Sequence, residues 1–156
     1  MKPASSSGAM RIQAILGDRF QVLEFEESTH SSAEAATAIG CDVAQIAKSM
    51  LFKAADGQPV LVVASGANRV DEKKVSALIG QRIKRADPDF VLANTGSAVG
   101  GVSPVGHTTR PITLLDQDLQ RFETIWAAAG SPNAVFGLTP HDLSQLTDAD
   151  FADIAK

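Results

Sequence analysis

The chain has 156 residues, 44% of them hydrophobic and 21% charged, which is the composition of an ordinary soluble domain. This length and composition exclude a wholly disordered or fibrous chain, and no run of 18 apolar residues predicts a membrane-spanning helix. The net charge of −4 excludes a general polyanion-binding protein, although residues 48–110 alone carry a net charge of +4.

The first part of the chain alternates between helical and strand patterns. Residues 1–8 are predicted to form a flexible tail that precedes one domain at residues 9–156. Apolar residues at helical spacing predict a helix over residues 10–16 that stops at Gly17, and a strand follows over residues 20–25. Ser28 or Ser31 can cap a second helix, which ends at Gly40.

The middle of the chain predicts a hairpin followed by a helix. A helical turn is expected at residues 42–47, and two apolar strands at 49–54 and 59–65 flank a polar turn. An amphipathic helix at residues 71–79 ends at Gly80. A weak strand at residues 83–86 then precedes a short helix that Asp87-Pro88 opens.

The last third predicts a loop, a second hairpin and short elements. Residues 96–106 form a Gly-, Ser- and Pro-rich loop, followed by a strand at 111–115. The second hairpin pairs residues 124–129 with 134–138, a helix begins at Thr139-Pro140, and residues 151–155 form a last strand. The pattern predicts a single α+β domain with a mixed, curled β-sheet and surrounding helices.

The residue types exclude several chemistries. One cysteine, Cys41, rules out internal disulfides, and the three histidines lack metal-ligand spacing, so no metal or other cofactor is expected. No nucleophile elbow, phosphate loop or dinucleotide fingerprint is present. The polar N-terminus lacks a signal peptide's apolar run, so we expect a cytoplasmic protein without membrane contact.

Lys48 stands at the junction of a helical turn and an apolar strand. Its ammonium group either extends to solvent at the strand end or faces a carbonyl, phosphate or carboxylate of a ligand. The glycine loop, which we define as residues 99–107 with the sequence VGGVSPVGH, offers a second candidate. Its glycines either let a ligand approach the backbone or serve packing alone.

A basic set of side chains lies in the middle third of the chain. It either follows the phosphates of a nucleic acid or forms an ordinary solvated face. Its members are Arg69, Lys73, Lys74, Arg82, Lys84 and Arg85.

Four stretches together resemble the YbaK/EbsC family, the free-standing relatives of the editing domain in bacterial prolyl-tRNA synthetases. They are the helix before Gly40, Lys48-Ser49 entering an apolar strand, residues 63–74 with GANRVD, and GGVSPVG at residues 100–106. The endings DL at 142–143 and FADIA at 151–155 are also similar. The resemblance covers residues 10–156 and implies an editing-domain fold.

The resemblance also implies an activity and a site. The activity is hydrolysis of a wrong, small aminoacyl ester from tRNA, typically tRNA for proline, with no protein nucleophile. Lys48 matches the family's functional lysine, Gly100 and Gly101 could supply backbone donors, and the basic set could contact the acceptor stem. The expected substrate-binding residues are Phe25, His30, Ser49, Val102, Ser103, Pro104, His107, Ala128, Asn133 and Val135.

Two other functions fit the same residues. A non-catalytic module could hold an amino acid, an aminoacylated end or a synthetase, and a hydrolase could act on a small ester or nucleotide. The expected partners are the acceptor end of aminoacylated tRNA and prolyl-tRNA synthetase. Release of free amino acid from mischarged tRNA separates the editing enzyme from the binding module.

Overall fold

The computed structural model describes residues 1–27, 29 and 31–156, and this part of the chain forms five helices around one mixed sheet of nine strands. The helices are α1 (Ser7–Leu16), α2 (Ser32–Ile39), α3 (Glu72–Ile79), α4 (Pro88–Thr95) and α5 (Pro140–Thr147). The strands are β1 (Lys2–Pro3), β2 (Val22–Glu24), β3 (Ile46–Ala54), β4 (Pro59–Ser65), β5 (Ile83–Arg85), β6 (Ile112–Asp116), β7 (Ile125–Ala128), β8 (Ala134–Leu138) and β9 (Phe151–Ala152). Short 3-10 turns occupy Gly17–Arg19, Val43–Gln45 and Gln117–Arg121.

The sheet has the strand order β1-β2-β8-β7-β3-β4-β6-β9, and β5 pairs separately with the end of β3. Both predicted hairpins form, as the antiparallel pairs β3–β4 and β7–β8. Three pairings are parallel: β3 with β7, β4 with β6, and β6 with β9. The predicted single α+β domain with a mixed sheet is therefore confirmed. None of the helices in the described ranges is long and apolar enough to span a bilayer.

The two faces of the sheet are covered by different helices, because successive side chains of a strand point to opposite sides. On one side, Leu61 and Val63 of β4 join the main core with Ile12 of α1 and Leu143 of α5. On the other side, Val62 packs in a second core with α3. Helix α2 covers the same side nearer to β7. We call these two sides the α1 face and the α2 face.

The predicted helix ends are confirmed by their caps. The Ser31 side chain accepts a hydrogen bond from the Glu34 amide, and Gly40 ends α2 in the left-handed conformation. Thr139 and Asp142 form a reciprocal capping box at the start of α5. These side chains satisfy backbone groups that have no partner inside the helix, which fixes where each helix begins or ends. Ser28, the alternative cap of α2, lies outside the described residues.

Two local predictions differ from the structure. The helical turn expected at residues 42–47 is limited to Val43–Gln45, because Ile46 and Ala47 pair with β7 and therefore belong to β3. The last strand is Phe151–Ala152 rather than 151–155, although Ala155 still forms an isolated bridge with Val70. These boundaries depend on partners distant in sequence, which local patterns do not reveal.

The N-terminal segment is also more ordered than the predicted tail at residues 1–8. Strand β1 pairs with β2, and α1 already begins at Ser7. The anchor is Glu24, a side chain only 2% exposed, which accepts hydrogen bonds from the amides of Ser5 at 2.8 Å and Ser6 at 2.9 Å. Both serine hydroxyls also donate to it. These donors lower the pKa of Glu24 from its ordinary 4.5 to about 2.

We predict that Glu24→Gln lowers the free energy of unfolding by about 1–3 kcal/mol at pH 7, since a charged acceptor of several hydrogen bonds is removed. The folded-state pKa lies below the unfolded one, so the stabilisation is complete above pH 4.5 and is lost toward pH 2. Denaturant unfolding at several pH values should show the two proteins converging on acidification. Glu26→Gln, at an exposed neighbouring position, is the control and should have no such effect.

Candidate functional site

Lys48 lies in a row of side chains that crosses the α2 face of the sheet. It pairs with Ala64 of β4, and the parallel register of Ala47 with Ala127 places Ala128 on its other side. The row continues because Ala128 pairs with Val135, and Val135 with Leu23. Lys48 is therefore the one cation in an otherwise apolar row of five residues from five strands.

The covering helices leave Lys48 between them. Helix α2 packs over Ile46 and Trp126, and α3 packs over Val62 and Ala64. Lys48 is half-buried, and among the described residues no hydrogen bond or ion pair engages its ammonium group. A half-buried cation beside apolar residues favours an oxygen ligand, because burial removes part of its hydration.

Ser49 occupies the opposite side of β3. It shares the α1 face with Ala47 and Leu51 of the main core, and its hydroxyl oxygen is buried without a partner in the described part of the chain. The alternation of the strand thus separates Ser49 from the Lys48 row. The expected substrate contact of Ser49 is not supported by this placement.

The glycine loop packs against the turn between β7 and β8. The Gly130 amide donates to the Gly101 carbonyl at 2.9 Å, and a Cβ on Gly101 would lie 2.9 Å from the Ser131 Cα. Gly101 is therefore needed for close backbone approach. Its own amide donates to the Ala98 carbonyl at 3.1 Å, so it is not available to a substrate.

Other backbone donors of the glycine loop are available. Gly100 is exposed, has a φ of +97°, and has open space where a side chain would project. Within the described ranges, the amides of Gly100, Val102 and Ser103 have no acceptor. Val102, Ser103 and Pro104 are buried. Of the two expected donors, Gly100 and Gly101, only the Gly100 amide is therefore available. The amides of the buried Val102 and Ser103 are further donors without an acceptor in the described ranges.

Hydrogen bonds join the hairpin turn to the end of β2. The Phe25 amide donates to the Asn133 carbonyl at 2.8 Å, and the Asn133 side-chain amide donates back to the Phe25 carbonyl at 3.0 Å. The Ser131 hydroxyl donates to the Asn133 side chain at 2.7 Å. Since Ser131 also contacts Gly101, the glycine loop, the hairpin and Phe25 form one continuous structure.

His107 braces the glycine loop from the α1 face. Its Nε2 lies 2.7 Å from the Ser103 carbonyl oxygen, and burial lowers its pKa, assisted by the nearby Arg11 charge and opposed by the Ser103 hydrogen bond. With Pro104 it lines a depression of about 380 Å³ toward α5. Lys48 and Gly100 do not line that depression. His30, the other expected histidine, lies outside the described residues.

The basic set is divided by its contacts. The Lys74 ammonium is held by Asp153 at 2.9 Å and by the Ala155 carbonyl at 2.7 Å, which ties α3 to the chain end. The remaining five are exposed and form no ion pair with another described residue. They are Arg69, Lys73, Arg82, Lys84 and Arg85. Residues 84 and 85 pair with Lys53 and Phe52, so they lie beside the end of β3 that is distant from Lys48.

One buried carboxylate was not predicted. Asp116 is fully buried and accepts hydrogen bonds from the Ser65 amide at 3.0 Å and the Asn68 side chain at 2.9 Å. It thereby fixes the loop after β4, where Gly66 packs against Ser32 at the start of α2. An aspartate directly after an apolar strand was the available signal, but the sequence does not reveal which donors reach it.

Comparison with known proteins identifies the family. The sequence model of the aminoacyl-tRNA editing domain family matches residues 26–146 of the chain, and these include Lys48, the glycine loop and the hairpin. The chain belongs to the aminoacyl-tRNA editing domain family. This membership confirms the resemblance inferred from the Lys48 and glycine-loop motifs.

Similar proteins match nearly the whole editing domain. YwhH of Bacillus subtilis, named as uncharacterized, is 39% identical over 126 residues, covering 81% of this chain and 80% of its own. EbsC of Enterococcus faecalis, whose name proposes a Cys-tRNA(Pro)/Cys-tRNA(Cys) deacylase, is 28% identical over 98% of this chain and 95% of its own. A crystal structure described as that of a proposed trans-editing enzyme for prolyl-tRNA synthetase is 41% identical, with a TM-score of 0.93 over 98% of this chain and 99% of that one.

Proposed function

We propose that this protein is a trans-editing deacylase that hydrolyses the ester linking a wrong, small amino acid to tRNA, with tRNA for proline as the preferred acceptor. The observation that carries the proposal is Lys48, a half-buried cation in an apolar row that has no partner among the described residues, within an aminoacyl-tRNA editing domain. The names of EbsC and of the similar crystal structure support the proline tRNA as acceptor.

The residues suit hydrolysis of an activated ester. Water adds to the ester carbonyl carbon, the carbon–oxygen bond to the ribose breaks, and the ribose oxygen takes up a proton as the free amino acid leaves. The developing negative charge on the carbonyl oxygen is the feature that a protein can stabilise. Lys48 supplies a positive charge for it, and the unpaired amide of Gly100 supplies a hydrogen-bond donor. The substrate's own ribose hydroxyl can activate the attacking water, so no acid–base triad is needed.

The residues that flank Lys48 favour a small aminoacyl group. Ala128, Val135 and Leu23 flank Lys48 along the row, and the buried Phe25 closes the end of β2. Apolar walls distinguish ligands that differ by one methylene by only about 1–3 kcal/mol and reject an added hydroxyl poorly. We therefore infer that several small amino acids are removed rather than one.

We predict that the protein releases alanine, serine, threonine and cysteine from one tRNA faster than it releases proline or phenylalanine. Deacylation rates on that tRNA charged with each of the six amino acids measure this preference. Faster release of phenylalanine, or exclusive release of one small residue, would contradict the pocket argument. Tight binding of mischarged tRNA without release of any amino acid would identify a non-catalytic binding module instead.

We predict that Lys48→Ala keeps the fold but lowers the single-turnover deacylation rate at least about tenfold, because the substitution removes one electrostatic interaction with the transition state. The control is Lys53→Ala, which removes the same side chain from the same strand on the opposite face, where Lys53 stacks on Phe90. It should react at the wild-type rate on a minimal aminoacyl-nucleoside substrate. Equal rates for wild type and Lys48→Ala would exclude this role for Lys48.

The basic set is proposed to contact the acceptor stem through its five exposed members. We predict that reversing Lys73 and Arg85 to glutamate weakens tRNA binding and lowers the slope of log affinity against log salt by about 1 for each phosphate that is no longer neutralised. Hydrolysis of a minimal aminoacyl-nucleoside should not change. The control is Arg110→Glu, an exposed charge reversal outside the set. Affinity and slope that match this control would show that the set is an ordinary solvated face.

A further inference from the structure

The side chain of Arg11 on α1 closes the two ends of the glycine loop. Its guanidinium donates to the Gly106 carbonyl at 2.7 Å, beyond the loop's proline, and to the Thr95 carbonyl at 3.3 Å, before its glycines. It also donates to the Ser97 hydroxyl at 3.3 Å. One planar group thus joins the end of α4 at Thr95, and the adjoining Ser97, to Gly106 of the glycine loop.

Two glycines make room for this guanidinium. A Cβ on Gly96 would lie 3.2 Å from one Arg11 nitrogen, and a Cβ on Gly106 would lie 3.2 Å from the other. Both glycines have a positive φ, of +74° and +80°. A larger residue at Gly96 would meet the arginine first, whereas one at Gly106 would first meet Ile15 and Ile12, at 2.8 Å and 3.0 Å from its Cβ.

Arg11 has no carboxylate partner among the described residues, so backbone oxygens and a hydroxyl satisfy it. The span that it closes carries the unpaired amides of Gly100, Val102 and Ser103. Two further braces act inside this span: the Gly130 amide on the Gly101 carbonyl, and His107 on the Ser103 carbonyl. Arg11 and the backbone hydrogen bond from the Thr109 amide to the Asn94 carbonyl at 3.1 Å both join the two sides of this span.

We propose that Arg11 is a positioning residue for deacylation: its guanidinium fixes the glycine loop so that the free backbone amides meet the ester carbonyl in the transition state. This inference rests on the proposed function. Because a displacement of about 1 Å can cost about 100-fold in rate, removal of the clamp should act on the chemical step rather than on tRNA binding. The acceptor-stem residues chosen for reversal, Lys73 and Arg85, lie on α3 and β5, elements to which Arg11 donates no hydrogen bond.

The test compares Arg11→Met and Arg11→Lys with the control Arg110→Met, an exposed arginine just beyond the loop. We expect both Arg11 variants to lower kcat at least about tenfold with KM within about twofold of wild type, since ground-state binding is retained. Arg11→Lys keeps the charge but cannot bridge two carbonyls, so it should remain defective. Amide hydrogen exchange of residues 97–106 should accelerate in both variants and not in the control.

Specific outcomes overturn the inference. Three outcomes would each contradict positioning by the planar group. They are a wild-type kcat in folded Arg11→Met, a defect confined to KM, and full activity of Arg11→Lys. If Arg11→Met does not fold, Gly96→Ala provides a second disruption of the clamp, since the three atoms nearest to its added Cβ all belong to Arg11. Unchanged loop exchange together with wild-type kcat in that variant would contradict the inference. If wild type itself releases no amino acid from any mischarged tRNA, the proposed function fails. The exchange measurement still decides whether Arg11 holds the loop.

Discussion

The alternation of side chains along β3 is the constraint on which the site depends. Residues 46, 48 and 50 face α2 and α3, whereas residues 47, 49 and 51 enter the main core. A shift of one residue in the pairing of β3 with β4 would bury Lys48 among the apolar residues of the main core and expose Leu51. The seven consecutive antiparallel pairs between these strands make such a shift costly. The position of the cation therefore follows from the hydrophobic pattern of its strand.

A second constraint is close backbone approach at three glycines. Gly8 at the start of α1 contacts Gly130 in the hairpin turn, and Gly130 donates to Gly101 of the glycine loop. Side chains at these positions would separate the three segments. The same contact places the hairpin turn, and through Asn133 the end of β2, beside the loop. The two adjacent glycines therefore differ in their surroundings. Gly101 packs against the hairpin turn, whereas Gly100 has open space beside its backbone.

The sequence predicted what depends on local chemistry. Capping residues and terminal glycines located all five helices, and the alternation of apolar residues located both hairpins. Strand β1 was not predicted, because a strand of two residues has no hydrophobic pattern of its own. Its pairing with β2 is accompanied by the hydrogen bonds that Ser5 and Ser6, just after β1, donate to Glu24. The parallel pairing of β3 with β7 could not be predicted from local sequence patterns either, because it joins segments about 80 residues apart.

The same distinction applies to the site. Lys48 and the glycine loop were candidates because of their residue types and positions, and the resemblance to family motifs suggested their roles. Ser49 was grouped with Lys48 because the two are adjacent in sequence, but adjacent side chains of a strand point to opposite faces of the sheet. Lys74 was grouped with phosphate-binding residues by charge, but its carboxylate partner is 79 positions away. Arg11 escaped notice because an arginine within a helix shows no sign of the carbonyls that it will bind.

The distribution of charge relates the site to its substrate. Lys48 is one cation in an apolar row, which suits a neutral ester carbonyl that becomes negative only as it reacts. The exposed Lys84 and Arg85 lie beside the other end of β3, at least four residues from Lys48, or about 13 Å along the strand. These two charges are therefore separated from Lys48 along the strand. A protein with a net charge of −4 gains little non-specific attraction to tRNA, so selectivity for a mischarged end must come from the site itself or from an associated synthetase.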